Sequence, residues 1–147
     1  MTLKIKNNMC LYINKNDQQP IKVAETDITC YKILEECKLE GFPYMSPYVE
    51  NPIPASIMIG LYPYVALGEK SIKCLFGIHP FISEGYIHTY KSKIVAEEML
   101  DICQNRFEND CHLFECKIPA GTQYYEGLDD NFLATYASDK IVFVSEI

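Results

Sequence analysis

The chain has 147 residues, enough for one domain of ordinary size that buries roughly two-thirds of the surface exposed by its unfolded form. Its formal net charge of −7 argues against a partner dominated by phosphate, because such binding draws its affinity from lysine and arginine side chains that displace counterions. Direct binding of nucleic acid is therefore not expected.

The charge is unevenly distributed along the chain. Residues 1–23 carry four lysines against one aspartate, a balance of +3, and residues 119–147 carry five acidic residues against Lys140, a balance of −4. An acidic segment of this kind can imitate nucleic acid or dock on a basic partner, although acidic surfaces more often serve solubility.

The cellular compartment is predicted from the cysteines and from the apolar runs. The seven cysteines are an odd number, and the opening residues MTLKIKNNMC lack the apolar core of a signal peptide. No run reaches the roughly 18 apolar residues of a membrane span. We therefore expect a cytoplasmic protein with reduced thiols and no membrane partner.

The first half of the chain reads as β-structure interrupted by loops. Asn7-Asn8 between two apolar runs predicts a β-hairpin, and residues 21–34 predict one or two strands that stop at the acidic segment before Gly41. The next stretch, residues 42–64, contains five prolines: Pro43, Pro47, Pro52, Pro54 and Pro63. Proline fixes φ and removes a hydrogen-bond donor, so this middle is expected to be irregular, with only a short strand near SIMIGLY.

The clearest helix follows Ser92, whose hydroxyl suits an N-cap. In KIVAEEMLDICQNRF, charged residues gather on one face and apolar residues on the other, which predicts a helix over about residues 92–107 that packs on the core. The predicted apolar face comprises Val95, Ala96, Met99, Leu100, Ile102, Cys103 and Phe107.

After this helix the pattern returns to strands. CHLFECKI predicts a strand in which His112, Phe114, Cys116 and Ile118 share one face, and QYYEG and FLATYASDKIVFVSEI predict further strands. The regular alternation of strand and helix that a parallel sheet needs is absent. The expected fold is a single α+β domain over residues 1–147, a mostly antiparallel sheet packed against one main helix.

The segment GYIHTY raises the question of a binding face. If residues 86–90 are extended, Tyr86, His88 and Tyr90 project from one side and Ile87 from the other. Such a row can hydrogen-bond a ligand or stack on it, or its rings can simply cover the neighbouring sheet or helix. With two further rings in QYYEG, the predicted binding residues are Tyr86, His88, Tyr90, Tyr124 and Tyr125.

No metal, cofactor or catalytic residue is predicted. The nearest metal-type cluster is Cys103, Cys111, His112 and Cys116, but it has no C-x-x-C pair, and a strand sends Cys111 and His112 to opposite faces. The chain also lacks the G-x-S-x-G, phosphate-loop and G-x-G-x-x-G patterns, so an enzyme is not favoured.

The segments GYIHTYKSKIVAEEM, CKIPAGTQYYEG and YASDKIVFV, with CYKIL upstream, resemble a group of small uncharacterised proteins from gut anaerobes and their phages. The matching positions are Gly85, Ile87, His88 and Tyr90; Ile118, Pro119, Gly121, Thr122, Tyr124, Tyr125 and Gly127; and Tyr136, Ala137, Ser138, Lys140 and Ile141. The resemblance implies a phage or mobile-element setting, in the cytoplasm of a bacterial host cell, and brings no activity with it.

Two functions remain open. The first is a non-enzymatic interaction protein that occupies a host protein or a small ligand through its tyrosine-rich and acidic faces, in a stable complex or a homo-oligomer. The second is a small enzyme or nucleotide-handling domain that uses Tyr86, His88 and Tyr90, and it predicts a concave pocket beside them.

Overall fold

The computed structural model describes residues 11–14, 16–17, 19–47, 52–66, 72–75, 79–82 and 85–147. Two helices and thirteen strands are assigned in these residues: β1 (Leu11–Tyr12), β2 (Lys22–Val23), β3 (Ile28–Leu39), β4 (Phe42–Met45), β5 (Pro52–Ile53), α1 (Ala55–Met58), β6 (Tyr64–Val65), β7 (Ile72–Leu75), β8 (His79–Ile82), β9 (Ile87–Tyr90), α2 (Lys93–Arg106), β10 (Cys111–Ile118), β11 (Gln123–Leu128), β12 (Ala134–Ser138) and β13 (Lys140–Glu146).

The strands form one sheet in the order β6-β13-β10-β3-β9-β12-β11-β1-β8-β7, with β4 and β5 attached beside β3 and β2 beside β11. The strand pairs of the described residues are antiparallel. This confirms the prediction of a mostly antiparallel sheet with little helix. Neither helix is long and apolar enough to cross a membrane.

The pair β3 and β10 separates two hydrophobic cores, because successive side chains of a strand point to opposite faces. On one face, Leu34 and Phe114 join a cluster that we call the first core. On the other face, Ile33 and Leu113 pack with Ala96, Met99 and Cys103 of α2 in a cluster that we call the helix core.

Helix α2 begins where the sequence predicts. The backbone N–H of Val95 donates to the Ser92 hydroxyl at 3.4 Å, which confirms Ser92 as the N-cap. The buried stripe is narrower than predicted, since Ile102 is exposed while Cys103 is buried. Ile102 lies about 100° around the helix from Cys103, which turns it away from the sheet.

Two predictions in the first half are wrong. Strand β3 does not stop at residue 34 but continues to Leu39, because β4 pairs with its last residues across a turn at Gly41. The predicted strand near SIMIGLY is instead the short helix α1 and a turn at Gly60, which follow Pro54 in the N-cap position. Pro54 has no N–H to donate to a neighbouring strand, and the chain passes there from β5 into α1.

Three other predictions stay predictions. The hairpin at Asn7-Asn8 lies outside the described residues, as do residues 48–51 of the proline-rich middle. The single domain over residues 1–147 is likewise untested.

The chain crosses very close to β13 at Gly60. Gly60 has φ +77°, and a Cβ added there would lie 2.5 Å from the carbonyl oxygen of Phe143. Only glycine combines this left-handed backbone with so close an approach. Gly41 has a similar φ of +82°, but a Cβ added there would meet no atom within 4 Å.

The substitutions Gly60→Ala and Gly41→Ala separate these two effects. Gly41→Ala adds only backbone strain and should lower the free energy of unfolding by about 1 kcal/mol. Gly60→Ala adds a clash with backbone and should lower it by roughly 2–4 kcal/mol. Urea unfolding measures both, and equal losses would contradict the close packing of Gly60 on β13.

Candidate functional site

The predicted extended form of residues 86–90 is found from Ile87 onward, while Tyr86 lies in a bend before the strand. Ile87 to Tyr90 form strand β9, which pairs with β12 so that Ala137 lies opposite His88. Ile87 belongs to the first core and Tyr90 to the helix core, so their side chains point to opposite faces, as the alternation predicts.

The structure brings together only some of the predicted binding residues. Ala137 lies opposite both His88 and Tyr125 on its two neighbouring strands, which places these side chains on one face of the sheet. The ring of Tyr86 meets that of Tyr125 edge-on, with centroids 5.4 Å apart. Tyr124 points to the other face, where its ring meets Tyr136 at 5.8 Å.

Most of this group is covered by protein. His88, Tyr90 and Tyr125 are buried, whereas Tyr86 and Tyr124 are half-buried. Burial and a hydrogen bond with Tyr86 raise the pKa of Tyr125 to about 12, so this hydroxyl keeps its proton at neutral pH. A binding role for these five residues stays a prediction, and so does the alternative enzymatic use of Tyr86, His88 and Tyr90.

A second polar group lies on the first-core face of the sheet, and the sequence gives no local sign of it. Glu36 of β3, Tyr44 of β4, His112 of β10 and Glu146 of β13 form this group, which we call the His112 cluster. The Nε2 atom of His112 lies 2.8 Å from Glu36 Oε1, and its Nδ1 atom lies 3.5 Å from Glu146 Oε2. The Tyr44 hydroxyl donates to Glu146 Oε1 at 3.2 Å.

The two carboxylates favour the protonated form of His112. Burial alone would lower the pKa of His112, but the hydrogen bonds and charges of Glu36 and Glu146 outweigh it, so the pKa is raised above its ordinary value. The stabilisation from this bridge is fully present below the ordinary histidine pKa and is lost as the pH rises through the raised value.

A buried lysine lies on the same face of β3. Lys32 is only 6% exposed, and its Nζ atom donates to the carbonyl oxygen of His88 at 3.0 Å. Strand β9 is in register with β3 at Tyr31↔Tyr90, and by Glu35 the same edge of β3 pairs with β4. Lys32 therefore satisfies a carbonyl at the point where β9 diverges from β3.

The described residues do not neutralise the charge of Lys32. None of the ion pairs of the described residues includes it. Burial lowers the pKa of Lys32 to about 8, against a smaller opposing effect of the nearby cysteines. Such a lysine destabilises the fold as long as it is protonated in both the folded and the unfolded state.

Three of the described cysteines, Cys30, Cys111 and Cys116, are poor nucleophiles. Burial raises the pKa of Cys30 to about 11 and that of Cys111 to about 12, and it also raises the pKa of Cys116 well above its ordinary value. Thiolates are therefore scarce at neutral pH. Cys111 and Cys103 lie in the helix core and Cys116 in the first core, so the sheet separates members of the cysteine and histidine group that the sequence analysis considered and did not favour as a metal site. No group of three or more metal-binding side chains occurs in the part of the chain that the structure describes.

The chain was compared with protein-family models, with curated proteins and with solved structures, and none of the three comparisons finds a match.

Lys32→Met should stabilise the protein at pH 7. The burial of the charge costs roughly 3 kcal/mol, judged from the shift between 10.5 and about 8. The lost bond to the His88 carbonyl offsets about 1 kcal/mol of the gain. We expect urea unfolding at pH 7 to show a net gain of roughly 1–2 kcal/mol.

The pH dependence has a definite sign. The pKa of Lys32 is lower in the folded protein than in the unfolded chain, so the folded protein releases the Lys32 proton at a lower pH. The stability of the unmodified protein therefore rises relative to that of Lys32→Met between pH 8 and 10.5. Lys38→Met, at the exposed end of the same strand, is the control and should change little. A loss of stability in Lys32→Met at pH 7 would contradict this account.

Proposed function

We propose that this chain is a small non-enzymatic interaction protein that binds a host protein, in the phage or mobile-element setting that the sequence resemblance implies. The support comes from one exposed segment, which we call the apolar loop: Ile59 to Val65, which runs from the end of α1 through β6. Leu61 is 73% exposed, Ile59 67% and Tyr62 62%. Contiguous exposed apolar surface of this kind marks interaction sites on soluble proteins.

The apolar loop is held in place before any partner arrives. Gly60 packs against the backbone of Phe143, and Tyr64 and Val65 pair with Ile141 and Lys140 of β13. A loop held in this way loses less conformational entropy on binding than a free loop, so more of its contact energy appears as affinity.

The net charge bears on the kind of partner. At −7 the chain repels a second copy of itself at long range and attracts a basic surface. A heterologous basic protein therefore suits it better than a homo-oligomer. Light scattering on the purified protein tests this point, and we expect a monomer.

Leu61→Asp should abolish capture of the partner. The protein is immobilised, exposed to lysate of an anaerobic gut bacterium and analysed by mass spectrometry. Leu61 is so exposed that the substitution should leave folding intact, while its charge prevents apolar contact at the loop. We expect the retained host protein to fall at least tenfold, a loss of about 1.4 kcal/mol of binding free energy or more.

Ile94→Asp is the matched control, because Ile94 is equally exposed on α2, which packs on the opposite face of the sheet. This variant should retain the same host protein as the unmodified chain. Retention of nothing by the unmodified chain, or equal retention by both variants, would refute the proposed function.

A further inference from the structure

The apolar loop and the His112 cluster lie at the two ends of one row of aromatic rings. Tyr44 meets Phe114 with centroids 5.0 Å apart, Phe114 meets Phe143 at 5.8 Å, and Phe143 meets Tyr64 at 6.2 Å. Tyr44 belongs to the His112 cluster, and Tyr64 lies in the apolar loop. A continuous row of packed aromatic side chains therefore connects the His112 cluster to the apolar loop.

The His112 cluster carries negative charge that is accessible to a partner. The side chain of Glu36 is 46% exposed and that of Glu146 is 47% exposed. His112 lies between them and is the only cation with which either forms an ion pair in the described part of the chain. An incoming ammonium or guanidinium group would find two carboxylates already positioned.

A partner that adds a strand to β13 fits this surface poorly. The register between β10 and β13 shifts between Glu115 and Cys116, and such a bulge twists an edge and interrupts its pairing. Gly60 also covers the carbonyl of Phe143 at this edge. Recognition must then come from side chains of the partner, because the free backbone edge is short and irregular.

We propose that the apolar loop and the His112 cluster form one docking surface for a partner segment that carries aliphatic side chains beside a lysine or arginine. The aliphatic side chains contact Leu61 and Tyr62, and the cation pairs with the exposed carboxylates of Glu36 and Glu146 beside His112. This inference rests on the proposed function and adds the chemistry of the partner to it.

The cation of the partner competes with the proton on His112. The groups that face His112 are Glu36 from β3, Tyr44 from β4 and Glu146 from β13, with Phe114 beside it on β10. When His112 is protonated, its charge offsets the two carboxylates; when it is neutral, both attract the partner. Affinity for a basic segment should therefore rise with pH.

A random peptide library without histidine, displayed on phage, tests the inference directly. Selection on the unmodified protein should enrich peptides that combine leucine, isoleucine or valine with lysine or arginine. Leu61→Asp should lose these peptides, and the double variant Glu36→Gln, Glu146→Gln should bind them at least tenfold more weakly. The matched control, Glu97→Gln with Glu98→Gln on α2, removes the same charge from the opposite face and should bind as the unmodified protein does.

The outcomes separate this inference from the proposed function. If no peptide is enriched, or if Leu61→Asp binds as well as the unmodified protein, the apolar loop is not a docking surface and both fail. If apolar peptides without lysine or arginine are enriched and bind the Glu36/Glu146 variant equally well, only the present inference fails.

Titration of a selected peptide adds a readout that a purely structural role of His112 would not change. We expect affinity to be roughly three- to tenfold higher at pH 8 than at pH 6, the range that two partly exposed ion pairs supply. His112→Gln should remove this pH dependence, and a pH dependence that persists in that variant would contradict the proposed competition.

Discussion

The pairing of β3 with β10 positions the rest of the structure. All eight residues of β10 are in register with β3, from Cys111↔Glu35 to Ile118↔Ile28. This register decides which side chains enter the helix core and which enter the first core, because a slip by one residue would exchange the two faces of a strand. It also brings His112 beside Glu36.

The two cores lie on opposite faces of the sheet and are covered by different elements. Helix α2 covers the helix core with Ala96, Met99 and Cys103. The first core is covered by short segments around α1, and the apolar loop and the carboxylates of the His112 cluster lie at its borders. The side chain of Lys32 extends from this face to the carbonyl oxygen of His88. Its charge, which lowers stability, therefore lies where β9 diverges from β3. The proposed docking surface and the buried lysine thus share one side of the sheet.

The sequence predicts the elements whose signal is local. Strand β10 has the predicted bounds, Ser92 caps α2, and the alternation around His88 separates Ile87 from Tyr90, because each depends on neighbours within a few residues. Strand β3 runs past its predicted end because its last residues are stabilised by β4, which no property of the segment EECKL reveals. Ile102 is apolar, as the buried face of α2 requires, but it lies at the margin of that face and is exposed.

The His112 cluster could not be predicted in this way. His112 is 76 residues from Glu36 along the chain, and only the register of β3, β10 and β13 makes them neighbours. The strand pattern does predict that His112 lies on the same face as Phe114. It does not predict which residues of the neighbouring strands lie beside His112. The apolar loop likewise includes a long-range contact, the close approach of Gly60 to β13, that the local sequence does not reveal.

The most direct test of this account is the register itself, measured by nuclear Overhauser effects between Hα protons. The bond from Glu36 N–H to the Asp110 carbonyl makes that pair hydrogen-bonded, so the alternate pairs, Ile33 with Leu113 and Glu35 with Cys111, are the close ones. We expect strong Hα–Hα effects for both pairs. Strong effects from Leu113 to Lys32 or Leu34 instead would contradict the account, because His112 and Glu36 would then lie on opposite faces of the sheet.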